Sequence, residues 1–266
     1  MELKAVILDW AGTMIDHGSL APMDVFRRAF AEAGVDISEA EARVPMGLPK
    51  WRHIQAVLRQ PRIAEAWERR HGGPVTDADV DRLHALFIPM TLTAVADHSK
   101  LIAGAAAVAA ELRGRGLKIG STTGYDRPTM EALLPLSAAQ GYMPDCVVTA
   151  SDLPQGRPTP MMVYQCFIDL EVWPARAVVK VDDTAPGIAE GVAAGCWTVG
   201  VATTGSTFGL SEEDSAALSP VDFAGRREAA AAELRKAGAD YVIDSVRDLP
   251  PVLDEIGRRL AAGEHP

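Results

Sequence analysis

Six short apolar runs constrain this chain most. KAVILDW, LKIGSTT, DCVVTA, AVVKVDD, WTVGVA and DYVID each have the near-continuous hydrophobicity of a strand buried on both faces, as in a parallel sheet. Helical patterns such as PTMEALLPLSAA and APGIAEGVAAG separate them. This alternation predicts an α/β fold, a doubly wound parallel sheet with right-handed crossovers. The rhythm breaks once, between about Pro22 and Ala96, where PMDVFRRAFAEAG, ISEAEARV, LPKWRHIQAVLRQ, PRIAEAWERRHG and, behind a Thr76 cap, DADVDRLHALFIPMTLTAV all read as helix. The expected organisation is an α/β core domain of residues 1–19 and 97–266 with an all-helical cap domain, 20–96, inserted after the first strand.

A chain of 266 residues can bury a full core, and 26 basic against 36 acidic residues give a net charge of −10 with no basic stripe. Nucleic acid is therefore not an expected partner. The N-terminus enters a strand directly, without a signal-peptide pattern. The longest apolar stretch, LIAGAAAVAAEL, falls short of the roughly 20 residues a bilayer needs, so no membrane association is expected. Cys146, Cys166 and Cys196 stand far apart without metal-ligand spacing and read as small hydrophobes in a reducing, cytoplasmic setting. The polar, helical stretch 205–238 shows no chemistry of its own and is expected to flank the sheet.

Ligands of doubly wound sheets bind beyond the carboxyl ends of the strands, where strand order reverses. Asp9 ends the first run, followed by a small-residue turn, Trp10 to Thr13, whose amides can approach a phosphoryl oxygen. Thr123 and Gly124 end the second run and suit the same oxygens. Arg157, in QGRPTP, precedes a proline read as a helix start and can neutralise phosphoryl charge. Asp182 and Asp183 end VVKVDD as adjacent acids that are costly to hold together without a cation.

In order and context these four elements resemble the haloacid dehalogenase superfamily across essentially the whole chain. The resemblance implies a Rossmann-like core with a helical cap. It also implies that Asp9 attacks phosphorus to form an aspartyl-phosphate, that Mg²⁺ is held by Asp9, the Ala11 carbonyl and Asp183, and that Thr123 and Arg157 bind phosphoryl oxygens. Most phosphatases of the superfamily carry a second Asp at the position of Ala11, which protonates the leaving alkoxide. Its loss costs on the order of 10² to 10⁴ in rate on an ester. Three readings follow: a phosphatase of small phosphate esters that has lost its acid, a noncatalytic phosphometabolite sensor, or an enzyme whose leaving group needs no proton there. Many members also place Gly before the metal-binding Asp and an acid about four residues after it. Here Asp182 stands before Asp183 and Gly187 at the later place; the resemblance assigns the inner-sphere contact to Asp183, with Asp182 as the alternative ligand, and suggests that Asp182 supplies the displaced charge.

The third reading needs an electron sink, and VPMGLPKWRHI offers one. Lys50 begins a helix near Pro49, and His53, three residues on, shares its face and is placed to assist proton movement. A lysine of lowered pKa condenses with an aldehyde, and the protonated imine accepts electrons from a bond broken at the neighbouring carbon. DWAGT, PMGLPKWRH, GSTTGY and GRPTP together resemble the phosphonatase branch, the phosphonoacetaldehyde hydrolases. That resemblance implies a small-molecule phosphonate substrate, a Schiff base on Lys50, and Met46, Gly47, His53 and Tyr125 around the imine. It also implies a homodimer through the cap, for which Trp51 and Trp67 are the candidate contacts.

Overall fold

The computed structural model describes residues 1–266. All six apolar runs form strands: β1 (Ala5–Leu8), β2 (Lys118–Thr123), β3 (Cys146–Thr149), β4 (Val178–Asp182), β5 (Trp197–Val201) and β6 (Tyr241–Ile243). They pair in parallel in the order β3-β2-β1-β4-β5-β6. Every residue of β1, β4 and β5 is buried, because successive side chains enter cores on opposite faces. Val6 and Leu8 join one cluster, Ala5 and Ile7 the other. The order reverses between β1 and β4, which opens a crevice at their carboxyl ends.

After β1 the chain forms five helices of the insertion: α1 (Ala21–Glu32), α2 (Glu39–Arg43), α3 (Lys50–Leu58), α4 (Pro61–His71) and α5 (Asp77–Asp97). Capping boxes, Ser38 with Glu41 and Thr76 with Asp79, start α2 and α5 and contribute about 1 kcal/mol each. Pro89 does not break α5, where the Thr93 hydroxyl donates to the Pro89 carbonyl at 3.1 Å. These helices bury their apolar stripes on one another in a core of their own that includes Phe26, Phe30, Trp67 and Phe87. Trp67 is 1% exposed and stacks on His71. It fills the helical core and is not available to a second subunit, which corrects the expected dimer contact. Trp51 is half-buried, its indole donating to Asp81 at 2.7 Å.

The remaining helices are α6 (Ala105–Gly114), α7 (Arg127–Ala139), α8 (Met161–Leu170), α9 (Ala185–Ala194), α10 (Glu212–Ala217), α11 (Pro220–Lys236) and α12 (Leu249–Ala261); all but α10, which buries no residue, contribute buried side chains to the packing around the sheet. Met130, Leu133, Leu253 and Ile256 pack on one face; Met162, Cys166 and Leu170 pack on the other. Leu234 of α11 meets Ile188 and Ala202, so this part of the 205–238 stretch does flank the sheet. The three cysteines are free, Cys166 and Cys196 fully buried. No helix is long and apolar enough to cross a membrane.

Candidate active site

β1 continues its ladder through Asp9, whose amide donates to the Val181 carbonyl at 3.0 Å, and then turns sharply. The Gly12 amide donates to Ile15 and the Thr13 amide to Trp10, leaving the Trp10 and Ala11 amides without a backbone acceptor. Of these two residues, Ala11 lines the same cavity as Asp9. Gly12 has φ +82°, and a methyl group on it would strike the Asp183 carboxylate, so the turn passes against Asp183 only because residue 12 has no side chain.

Arg157 lies in the loop after β3. Pro158 does not begin a helix: α8 starts at Met161, after a turn in which the Thr159 hydroxyl donates to the Gly156 carbonyl at 2.9 Å. That turn directs Arg157 inward, where it is 4% exposed. It donates to Asp9 Oδ1 at 2.8 Å and to the Thr122 carbonyl at 3.0 Å, and pairs with Asp182 at 3.0 Å and Glu190 at 3.3 Å. Burial disfavours its charge, but Asp182, Asp9 and Glu190 more than offset this and keep it cationic.

Asp9, Asp182 and Asp183 are buried with ligand atoms within 4.8 Å of one another. Asp182 is already satisfied. Lys180 Nζ donates to it at 2.6 Å, and the Thr184 hydroxyl and amide donate at 2.7 and 3.0 Å. Burial raises its pKa, but Arg157 and Lys180 bring it below the ordinary value. Asp183 has only the Ser206 amide at 2.7 Å and the Thr13 hydroxyl at 3.5 Å. Burial, then the charges of Asp9 and Asp182, push its pKa well above the usual range. Asp9 is raised by burial and Asp182 against the pull of Arg157 and Lys180. Four acids, Asp9, Asp182, Asp183 and Glu190, face two bases, Arg157 and Lys180. With all four acids ionised, as a bound cation would favour, the two negative charges left over equal the charge of one divalent cation, and the all-oxygen donor set suits Mg²⁺.

From the helical side, Lys50 opens α3 with Nζ 5.3, 5.6 and 5.9 Å from the ring centres of Tyr125, Phe26 and Phe87. Its pKa is pushed down to about 8, chiefly by burial, with Asp9 opposing and Arg157 assisting. A single cavity of about 30 Å³ brings together Lys50, Met46 and Gly47 from the helices with Asp9, Ala11, Thr123, Gly124, Tyr125 and Arg157 from the sheet. Thr123 is buried, and its hydroxyl accepts from the Tyr125 amide at 3.1 Å. Gly124 packs toward the Leu48 carbonyl and Gly47 against Thr184, where the two units meet. The Tyr125 hydroxyl is buried without a partner, and burial with the nearby acids Asp16, Asp9 and Asp183 keeps it protonated.

Two candidates lie outside this cavity wall. Asp183 sits behind Gly12. His53 is fully buried in the helical core, stacked on Phe26, with Nε2 donating to the Ala42 carbonyl at 2.7 Å and Nδ1 unpartnered. Burial and the charge of Lys50 hold it neutral. His53 therefore does not face the cavity from the helix face it shares with Lys50.

Sequence reasoning missed several neighbours. Ser19, Pro22, Leu48 and Thr184 complete the cavity wall. Lys180 and Glu190 were legible as single charges, one in an apolar strand and one in an Ala-rich helix, but their pairing was not. The 205–238 stretch does touch the site, since the Ser206 amide holds Asp183 and the Ser206 carbonyl accepts from Arg43 of α2 at 2.8 Å.

Residues 3–195 match the model of the haloacid dehalogenase-like hydrolases. Curated relatives called phosphonoacetaldehyde hydrolase, from Paraburkholderia xenovorans and Klebsiella pneumoniae, are 49% and 48% identical over 264 and 266 residues, 99% of both chains in each case. The crystal structure of a phosphonoacetaldehyde hydrolase-like protein from Oleispira antarctica matches with a TM-score of 0.98 at 45% identity, covering 100% of this chain and 96% of that one.

Proposed function

Because the chain belongs to the phosphonoacetaldehyde hydrolases, within the haloacid dehalogenase-like hydrolases, we propose that it hydrolyses the C–P bond of phosphonoacetaldehyde to acetaldehyde and phosphate. One observation carries this reading: an amine of lowered pKa, Lys50, shares a cavity with Asp9, while Ala11 puts no acid there.

In the proposed sequence, neutral Lys50 adds to the aldehyde, and the adduct takes up a proton and loses water to give an iminium. The Asp9 carboxylate then attacks phosphorus, and the C–P electron pair moves into the iminium to leave an enamine. Protonation at carbon and hydrolysis release acetaldehyde from Lys50. A second water cleaves the aspartyl-phosphate, so one water is consumed overall. The iminium thus does for a carbon leaving group what a second Asp does for an alkoxide. Arg157 and Thr123 hold phosphoryl oxygens, with Gly124 giving them room. A Mg²⁺ ion held by Asp9, the Ala11 carbonyl and Asp183 would neutralise charge between the carboxylate and the anionic phosphoryl group. Met46, Gly47 and Tyr125 line the imine pocket, while His53, stacked behind Phe26, moves no proton at the imine and supports the ring that faces Lys50.

Residues 20–96 are the cap in this reading, and 1–19 with 97–266 the core. Cap closure would exclude water from the enamine. A cytoplasmic homodimer joined through the cap belongs to the same reading, with a contact other than Trp67. The test is product analysis. Equal release of acetaldehyde and phosphate, no phosphate from phosphoglycolate or sugar phosphates, and loss of both products in Lys50→Arg support the proposal. Turnover of those esters with Lys50 dispensable would overturn it.

A further inference from the structure

Behind Arg157 lies a fully buried charged array, Lys180, Asp182 and Glu190, that does not line the cavity shared by Lys50 and Asp9. Lys180 and Glu190 are both 0% exposed, Lys180 inside β4 and Glu190 on α9. Glu190 Oε2 accepts from the Thr122 hydroxyl at 2.9 Å and from Arg157 Nε at 3.3 Å, with Lys180 at 3.8 Å. Lys180 and Arg157 converge on the same Asp182 oxygen at 2.6 and 3.0 Å. Buried charges that bridge one another in this way fix direction more than they add stability.

The array has a complementary vacancy. Gly187 is the third residue of α9, its amide donating to the Thr184 hydroxyl at 3.2 Å, and that hydroxyl donates to Asp182. A methyl group on Gly187 would overlap the Asp182 carboxylate carbon and both its oxygens. The carboxylate thus occupies the space that a side chain at 187 would fill.

We propose that Lys180, Asp182 and Glu190 are positioning residues that aim the Arg157 guanidinium at Asp9 and the transferred phosphoryl group, and that residue 187 lacks a side chain so that Asp182 can be seated. The phosphoryl part rests on the function proposed above. A positioning role and a purely Coulombic one predict opposite signs. Removing an anion beside Arg157 should tighten anion binding if charge alone matters, and weaken it if the guanidinium loses its aim.

The experiment measures inorganic phosphate binding by calorimetry with Mg²⁺ present, checks cooperative melting, and traps acetaldehyde on Lys50 with borohydride. Gly187→Ala, which changes no charge, should weaken phosphate binding at least tenfold, and Asp182→Asn should weaken it as well. Moving the carboxylate in Asp182→Gly/Gly187→Asp should recover at least tenfold relative to Asp182→Gly. Trapping on Lys50, which belongs to the other unit, should stay within twofold. Wild-type affinity in Gly187→Ala, or tighter binding in Asp182→Asn, overturns the proposal. If those variants do not melt cooperatively, Glu190→Gln decides: weaker binding supports the array and tighter binding refutes it. Absence of trapping in the unaltered enzyme would overturn the imine reading alone, since phosphate affinity reports on the array separately.

Discussion

Replacing Ala11 with Asp restores the acid common in related phosphatases, and on this account it harms the enzyme. Lys50 has a pKa of about 8 against 10.5 for a free side chain. At pH 7 about one molecule in ten then carries the neutral amine, against about one in 3,000 for a free lysine. The gain is about 300-fold, or about 3.4 kcal/mol at 1.36 kcal/mol per unit. Ala11 and Lys50 line the same small cavity, so an aspartate at 11 adds an anion close to the amine. Opposite charges sharing a site favour the charged form by about one to three units. The neutral fraction at pH 7 should therefore fall by about tenfold or more, and C–P cleavage with it. The assay is the pH dependence of amine labelling at Lys50, read by peptide mass. Reactivity should rise with pH to a midpoint near 8 in the wild-type enzyme and at least one unit higher in Ala11→Asp. An unchanged midpoint together with undiminished cleavage would refute the reasoning.

Three further outcomes follow from single contacts. Arg43 ties the helical unit to the core by donating to the Gly18, Ser206 and Gly209 carbonyls at 3.0, 2.8 and 3.3 Å; Arg43→Met should lower kcat/KM about tenfold, consistent with losing about 1.5 kcal/mol of charge-assisted bonding, and an unchanged value would remove Arg43 from cap closure. His98 Nδ1 meets Asp16 Oδ1 at 3.2 Å beside the crossings between the units, and that hydrogen bond raises the His98 pKa against burial. A raised histidine stabilises fully below its unfolded pKa of about 6.5 and loses that contribution as pH rises through the folded value, so melting curves of wild type and His98→Gln should converge with rising pH, the gap below pH 6 being under about 1 kcal/mol; a gap that grows with pH would contradict this sign. Trp67→Ala should cost about 3–5 kcal/mol in urea unfolding, whereas a mild effect would mean the ring does not fill the helical core.

The sheet was legible because each strand is buried on both faces, so KAVILDW or AVVKVDD needs no partner to be recognised. The helical insertion was legible because five successive stretches carry helical periodicity and Thr76 marks a helix start by local chemistry. Asp9, Thr123 and Asp183 were legible by position, since parallel strands deliver their ends to one crevice. What depends on distant partners was not: nothing near Arg43 in sequence announces the carbonyls of Ser206 and Gly209. His53 shows the limit of helix-face arguments, because the three-residue spacing from Lys50 sets a shared face but not what packs there, and Phe26 takes the imidazole inward. Trp67 reads as exposed or buried depending on neighbours more than ten residues away. A supporting role for Asp182 could be suggested from Gly187 standing at the later position, but its bonds to Lys180 and Arg157 appear only once β4 and the Arg157 loop are assembled.

The central claim is a covalent bond between Lys50 and substrate. Mixing the enzyme with phosphonoacetaldehyde, Mg²⁺ and borohydride, followed by intact and peptide mass measurement, tests it most directly. A reduced two-carbon adduct on Lys50, with or without its phosphono group, is the result this account requires. An unmodified Lys50, under conditions that trap an aldehyde-condensing control lysine, would contradict it.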